Sequence, residues 1–144
     1  MVIKLIRIEN LQECANPVVK FRVGPLEVLS GPSLYGGSDP QWTHEELHLP
    51  LEQLMGDIVD KKHTCLDIEV VDLNSISGEE TTVAVYEHDG SDLLLEWMGN
   101  RRFEGEIMLT GGKNGQEATL VVAIKFNMTF DDFLVRRTLP KMNF

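Results

Sequence analysis

Cysteine is scarce in this chain of 144 residues: only Cys14 and Cys65 are present. Two thiols cannot frame a disulfide-stapled scaffold, and reduced thiols are the expectation. Long apolar runs are missing as well, and none approaches the ~18 residues that a membrane-spanning helix needs. Residues 1–8 are apolar, but Lys4 and Arg7 interrupt them and no small-residue cleavage site follows. The stretch therefore reads as a strand rather than a secretory leader, and a cytoplasmic setting is expected. Positive charge is in short supply: 13 Lys and Arg stand against 23 Asp and Glu, a formal net of −10. Nucleic acid is a poor partner for such a chain, because its phosphates demand clustered Lys and Arg. Unaided binding to an anionic membrane is disfavoured too, since each nearby basic side chain contributes only about 1 kcal/mol and surplus acids oppose it.

Apolar residues, by contrast, make up 42% of the chain. That is enough for one hydrophobic core in a chain of single-domain length. Their spacing is mostly period two, the pattern of half-buried strands. It appears in residues 2–8 and in 17–24, where Val19, Phe21 and Val23 alternate with Val18, Lys20 and Arg22. It returns at Leu47, Leu49 and Leu51, at Leu66, Ile68 and Val70, and in 81–87, 103–110 and 118–126. In the last of these Leu120, Val122, Ile124 and Phe126 share a face. Helical spacing is confined to short pieces. Leu51, Leu54, Met55, Ile58 and Val59 fit one or two turns, and Leu93, Leu94 and Trp97 fit a helix capped by Ser91 and ended by Gly99. Thr129 and Asp132 make a weak capping box, and residues 111–115 read as a hairpin turn. Seven or eight short strands with turn signals between them imply an all-β, two-sheet antiparallel sandwich.

Catalytic patterns fail on context. His44-Glu45-Glu46-Leu47-His48 matches the zinc-protease motif, which needs a helix to bring both imidazoles to one metal. Here Trp42 and Pro50 bracket a strand-like alternation, and two histidines four residues apart on a strand lie ~13 Å from each other. Gly31-Pro32-Ser33 lacks the second glycine of a nucleophile elbow. His63 and His88 have no cysteine or carboxylate constellation around them in the sequence, and Cys65, just before a strand, reads as a core residue. No enzymatic activity is expected.

Four segments resemble, in order, the motifs of C2 domains. Ile3-x-Leu5-Ile6-x-Ile8-x-Asn10-Leu11 is similar to the family's opening strand with its closing Asn-Leu, and Asn16-Pro17-Val18-Val19-Lys20-Phe21 to its Asp-Pro-Tyr-Val-Lys-Val. Asp39-Pro40-Gln41-Trp42 followed by Leu47-x-Leu49 resembles its Asn-Pro-x-Trp segment, and Leu66-x-Ile68-x-Val70-x-Asp72-x-Asn74 its Leu-x-Ile-x-Val-x-Asp-x-Asp. The resemblance covers residues 1–126 and implies a C2-like sandwich of about eight strands in the second of the family's two circularly permuted topologies. Residues 127–144 are then an extension or linker.

The resemblance also implies where function would lie. Calcium-binding C2 domains gather five acidic side chains from two loops, because a hard cation wants six to eight oxygens and carboxylates tighten it most. On that template Asp72 holds the first acidic position, Asn74 the next and Glu80 the third, while Asn16 replaces the aspartate before proline. The loop over residues 12–15 is too short for the remaining one. Such a set lacks the charge to hold calcium at micromolar levels, so no cofactor is expected. The family's calcium-free lipid mode uses a basic face, for which Lys20 and Arg22 on one strand and Lys61 and Lys62 beyond it are the candidates. The tail adds a third candidate: Phe130, Phe133 and Leu134, with Arg136 and Arg137 after them, form an apolar segment suited to a partner or to packing back on the sandwich. The expectation is a calcium-independent interaction module, a scaffold or adaptor bound to another protein or to the remainder of a longer chain, cytoplasmic or peripheral to a membrane or cytoskeletal structure. The alternative is a membrane-targeting module that binds anionic phospholipid, with weak calcium at most.

Overall fold

Eight antiparallel strands account for the alternating segments: β1 (Val2–Glu9), β2 (Pro17–Val23), β3 (Leu26–Leu29), β4 (Gln41–His48), β5 (Leu66–Leu73), β6 (Glu80–Val85), β7 (Arg102–Thr110) and β8 (Glu117–Lys125). The structure, a computed structural model, describes residues 1–54, 56, 65–87 and 93–127, with backbone only at His44 and Leu93. Across the sheet the order is β3-β2-β5-β6-β7-β8-β1-β4. Between β6 and β7 a single register pair, Val85 with Thr110, joins the two halves. The sheet curls over at that seam, so β3-β2-β5-β6 and β7-β8-β1-β4 form the two layers of a sandwich.

The period-two pattern becomes an inside and an outside. Val19, Phe21 and Val23 of β2 and Ile68 and Val70 of β5 are buried from one layer; Ile3 and Leu5 of β1 and Leu120, Val122 and Ile124 of β8 are buried from the other. Phe21 is fully enclosed, and removing such a ring costs about 3–5 kcal/mol. In β1 the period is broken once. The pairings to both β4 and β8 shift register between Leu5 and Arg7, so the inward series runs Ile3, Leu5, Ile8. A bulge inserts one residue and turns Ile6 away from the core. Trp42 closes the space between layers, and its indole N–H donates to the Gly31 carbonyl at 3.0 Å.

Strand β3 has no counterpart in the sequence reading. It is four residues long, too short to show a period, and its hairpin with β2 depends on Gly24 at φ 56° followed by Pro25. β4 begins at Gln41, ahead of the leucine alternation that signalled it. Its extended backbone keeps His44 and His48 on a strand, so the His-Glu-x-x-His spacing has no helix to act on. Helical spacing survives in two places: a 3-10 turn at Leu51–Leu54 and helix α1 (Leu93–Gly99), which buries Leu94, Trp97 and Met98. Met55, Ile58, Val59, Ser91, His63 and His88 lie outside the described residues. Cys65 is half-buried rather than a core residue, because it precedes the first strand position that faces inward, Leu66. Among the described residues no helix is long and apolar enough to cross a membrane.

Candidate functional site

Strand direction gathers four loops at one end of the sandwich: residues 10–16, 30–40, 74–79 and 111–116. Backbone bridges lace them together, Leu11 to Gly112 and Cys14 to Gly37. A rigid sandwich with clustered loops is where binding residues are expected. Two of these loops and the strand ends beneath them form a polar cavity lined by Asn16, Asp72, Asn74, Ser75, Glu79 and Thr81. The calcium template thus converges in space for Asn16, Asp72 and Asn74.

Several polar atoms of those three residues are engaged with the protein. The backbone N–H of Asn16 donates to Asp72 Oδ1 at 3.0 Å, and the Asn16 side-chain amide donates to the Leu73 carbonyl at 3.0 Å. Asn74 Oδ1 accepts the N–H groups of Ile76 and Ser77 at 3.0 and 3.1 Å, which folds the loop into a tight Asx turn. The Cys14 thiol is held neutral, its pKa pushed up to about 11 by burial first, then by the Asp72 charge and the hydrogen bond it makes to that carboxylate. Glu80 is not part of the cavity. It faces the outer side of β6 and binds Lys20, whereas Glu79, one residue earlier, lines the cavity. Sequence spacing alone pointed to Glu80; adjacent residues at a strand end face opposite ways, and the register of β6 decides which one turns in. Among the described residues no group of three or more His, Cys, Asp or Glu side chains is placed to hold a metal ion.

The basic face is built differently from its sequence reading. Lys20 and Arg22 do share the outer face of β2, but each sits among carboxylates. Lys20 pairs with Glu80, leaving its side chain 14% exposed, and Arg22 binds Glu27 at 2.6 Å through Nη2. Sheet register places Glu69 opposite Lys20 and Asp67 opposite Arg22. These neighbours raise the pKa of both cations, Glu80's hydrogen bond being the main cause for Lys20 and Glu27's for Arg22. Two cations among Glu27, Asp67, Glu69 and Glu80 make a face of net negative charge. Lys61, Lys62, Phe130, Phe133 and Leu134 lie outside the described residues.

Exposed apolar side chains are a feature that the sequence reading did not single out. Leu34 and Tyr35 project from the loop over residues 30–40, and Ile76 at the tip of the Asn74 turn is 97% exposed. A turn tip interrupting a polar sequence was the available signal, since loops put side chains outward whatever their polarity.

Compared with solved structures, the fold is that of a C2 domain. The chain matches extended synaptotagmin 2, in a calcium-bound structure of a pair of its C2 domains, with a TM-score of 0.56 and 16% identity over 86% of this chain and 44% of that one. It matches CC2D1B, a protein linked to mitotic reformation of the nuclear envelope, with a TM-score of 0.59 and 11% identity over 94% of this chain and 58% of that one. The chain therefore spans about half the length of these two solved chains. No protein-family model and no curated protein matches the sequence.

Proposed function

We propose that this C2-fold domain is a calcium-independent scaffold or adaptor that acts by binding another protein. The observation that carries the reading is the internal engagement of Asp72, Asn16 and Asn74. Asp72 Oδ1 and Asn74 Oδ1 accept loop backbone N–H groups, Asp72 also accepts the Cys14 thiol, and the Asn16 side chain is anchored through its N–H to the Leu73 carbonyl. Recruiting them costs those hydrogen bonds, each worth about 1 kcal/mol. Two of the three side chains are also neutral amides, which add little of the charge that tightens calcium. A net charge of −10 favours a partner with a basic patch, and such complementarity chiefly raises the encounter rate at low salt.

Calorimetric calcium titration of the full chain, repeated on Asp72→Asn, tests this reading. No heat below millimolar calcium is the expected result. Saturation at micromolar calcium that Asp72→Asn abolishes would overturn it.

A second reading draws on the exposed loop tips. Leu34, Tyr35 and Ile76 at one end would suit shallow entry into a lipid interface, with Lys20 and Arg22 on β2 as the basic contacts. The ion pairs of Lys20 and Arg22 weigh against it, since their charge is spent within the protein. Co-sedimentation with anionic liposomes that is lost in Lys20→Glu/Arg22→Glu would favour this second reading over the first.

A further inference from the structure

Among the described residues, strand β7 is paired along its whole length on one side only. It runs beside β8 from Arg102 to Thr110, while on its other side, among the described residues, only Thr110 is paired, with Val85 of β6. A groove lies over this seam. Its apolar floor is formed by Trp97 of α1 with Phe103 and Ile107 of β7, and Met108, 46% exposed, stands at its lip. The Trp97 and Phe103 rings stack with centroids 4.2 Å apart and planes 15° apart, which fixes the floor. Its rim is acidic: Glu87, Glu106 and Glu117 line it. Among the described residues none of these three carboxylates is in an ion pair. The nearest basic side chains on the outer face of this pair of strands, Arg102 and Lys125, oppose each other at its far end.

The arrangement has a direction. Successive residues of β7 alternate, Phe103 and Ile107 inward, Glu104, Glu106 and Met108 outward. An extended segment laid on that edge alternates in the same way. One set of its side chains would meet Trp97, Phe103 and Ile107; the other would stand beside Glu104, Glu106 and Glu87. We infer that the free edge of β7 binds, by strand addition, an extended segment of a partner protein in which apolar and basic residues alternate. Main-chain hydrogen bonds to β7 supply the adhesion, and the apolar floor with its acidic rim selects the sequence. The inference rests on the protein-binding reading above and gives it a site and a partner chemistry.

The test uses the full chain and a labelled peptide of about ten residues alternating valine and lysine, with binding followed by fluorescence anisotropy. The controls are a peptide of the same composition with its valines and lysines in two blocks, and the alternating peptide N-methylated at every second amide. The alternating peptide is expected to bind at least about tenfold more tightly than either control. Glu106→Lys/Glu117→Lys, both at exposed positions and checked for an unchanged melt, is expected to abolish the difference. Slowed amide exchange in β7 on binding would place the peptide on the edge. Equal binding of all three peptides, or protection confined to the loops at residues 30–40 and 74–79, would overturn the inference while leaving protein binding in place. Loss of the protein-binding reading itself would show separately, as micromolar calcium uptake or liposome binding. Two other occupants would displace the proposed one. Stronger peptide binding in Arg136→Glu/Arg137→Glu would assign the edge to the chain's own C-terminal segment. A doubled solution mass that Glu106→Lys/Glu117→Lys removes would assign it to a second copy.

Discussion

Asn16 and Asp72, 56 residues apart in sequence, are joined by a hydrogen bond from the Asn16 backbone N–H to Asp72 Oδ1 at 3.0 Å. The Leu73 N–H returns a bond to the Asn16 carbonyl at 3.1 Å, and the Asn16 side chain adds a third link to the Leu73 carbonyl. The junction seals β2 to β5 at the loop end.

Asn16→Ala should therefore act as a structural substitution. It removes the side-chain bond to the Leu73 carbonyl, which is partly buried, and should destabilise the domain by about 1 kcal/mol. Urea denaturation with an unchanged slope would register it. An unaltered midpoint would show that the amide contributes nothing to the junction.

The thiol of Cys14 predicts a pH dependence. Its folded pKa, pushed up to about 11, lies above the ordinary 9.0, so the folded state holds the proton more tightly than the unfolded one. The resulting stabilisation is fully present below pH 9 and is lost as pH rises from 9 towards 11. Melting temperature should fall across that window, and the fall should be smaller in Cys14→Ala. At neutral pH a thiol reagent should label half-buried Cys65 and spare Cys14 until the chain unfolds.

Gly111 marks the place where the β7–β8 turn crosses β6. Its φ is +123°, and a Cβ there would lie 2.3 Å from the Val83 carbonyl oxygen and 2.8 Å from the Ala84 Cα. Backbone on both sides leaves nothing to rotate away. Gly111→Ala should cost about 2 kcal/mol or more, combining overpacking with a strained dihedral. Thermal denaturation against wild type checks it.

Ile76 offers the opposite case. At 97% exposure it touches little, so Ile76→Asp should leave stability within about 0.5 kcal/mol of wild type. Liposome or partner binding that drops in this variant, with the melt unchanged, would place the contact at the loop end. Unchanged binding would direct attention to the sheet edges.

The ion pairs on the outer face of β2 predict a weak, salt-sensitive contribution. Glu80→Gln frees Lys20, and because the pair is near the surface the loss should be below about 1 kcal/mol and should shrink as ionic strength rises. If the variant gains affinity for anionic liposomes, Glu80 is what keeps Lys20 from lipid.

Most of the sandwich was legible because burial in a strand repeats every second residue. Ile3, Phe21, Ile68, Val70, Leu120 and Ile124 announce their inward face wherever the partner strand happens to be. The bulge in β1 and the four-residue strand β3 were not legible. One depends on the register of two neighbours, the other on a two-residue turn rather than on any period. At the loop end the sequence brought Asn16, Asp72 and Asn74 to the same cavity, yet it named Glu80 where Glu79 stands.

The sequence by itself determined the class of the fold, the one-sided burial of its strands and the acidic balance of its surface, because these follow from residue type and local spacing. Tertiary structure decided what each polar group does. Whether Asp72 meets a cation or the Asn16 amide, whether Lys20 faces solvent or Glu80, and whether the edge of β7 is covered all depend on pairings between segments tens of residues apart. Hydrogen bonds and ion pairs act over a few ångströms, and the chain sets such distances only once its register is fixed.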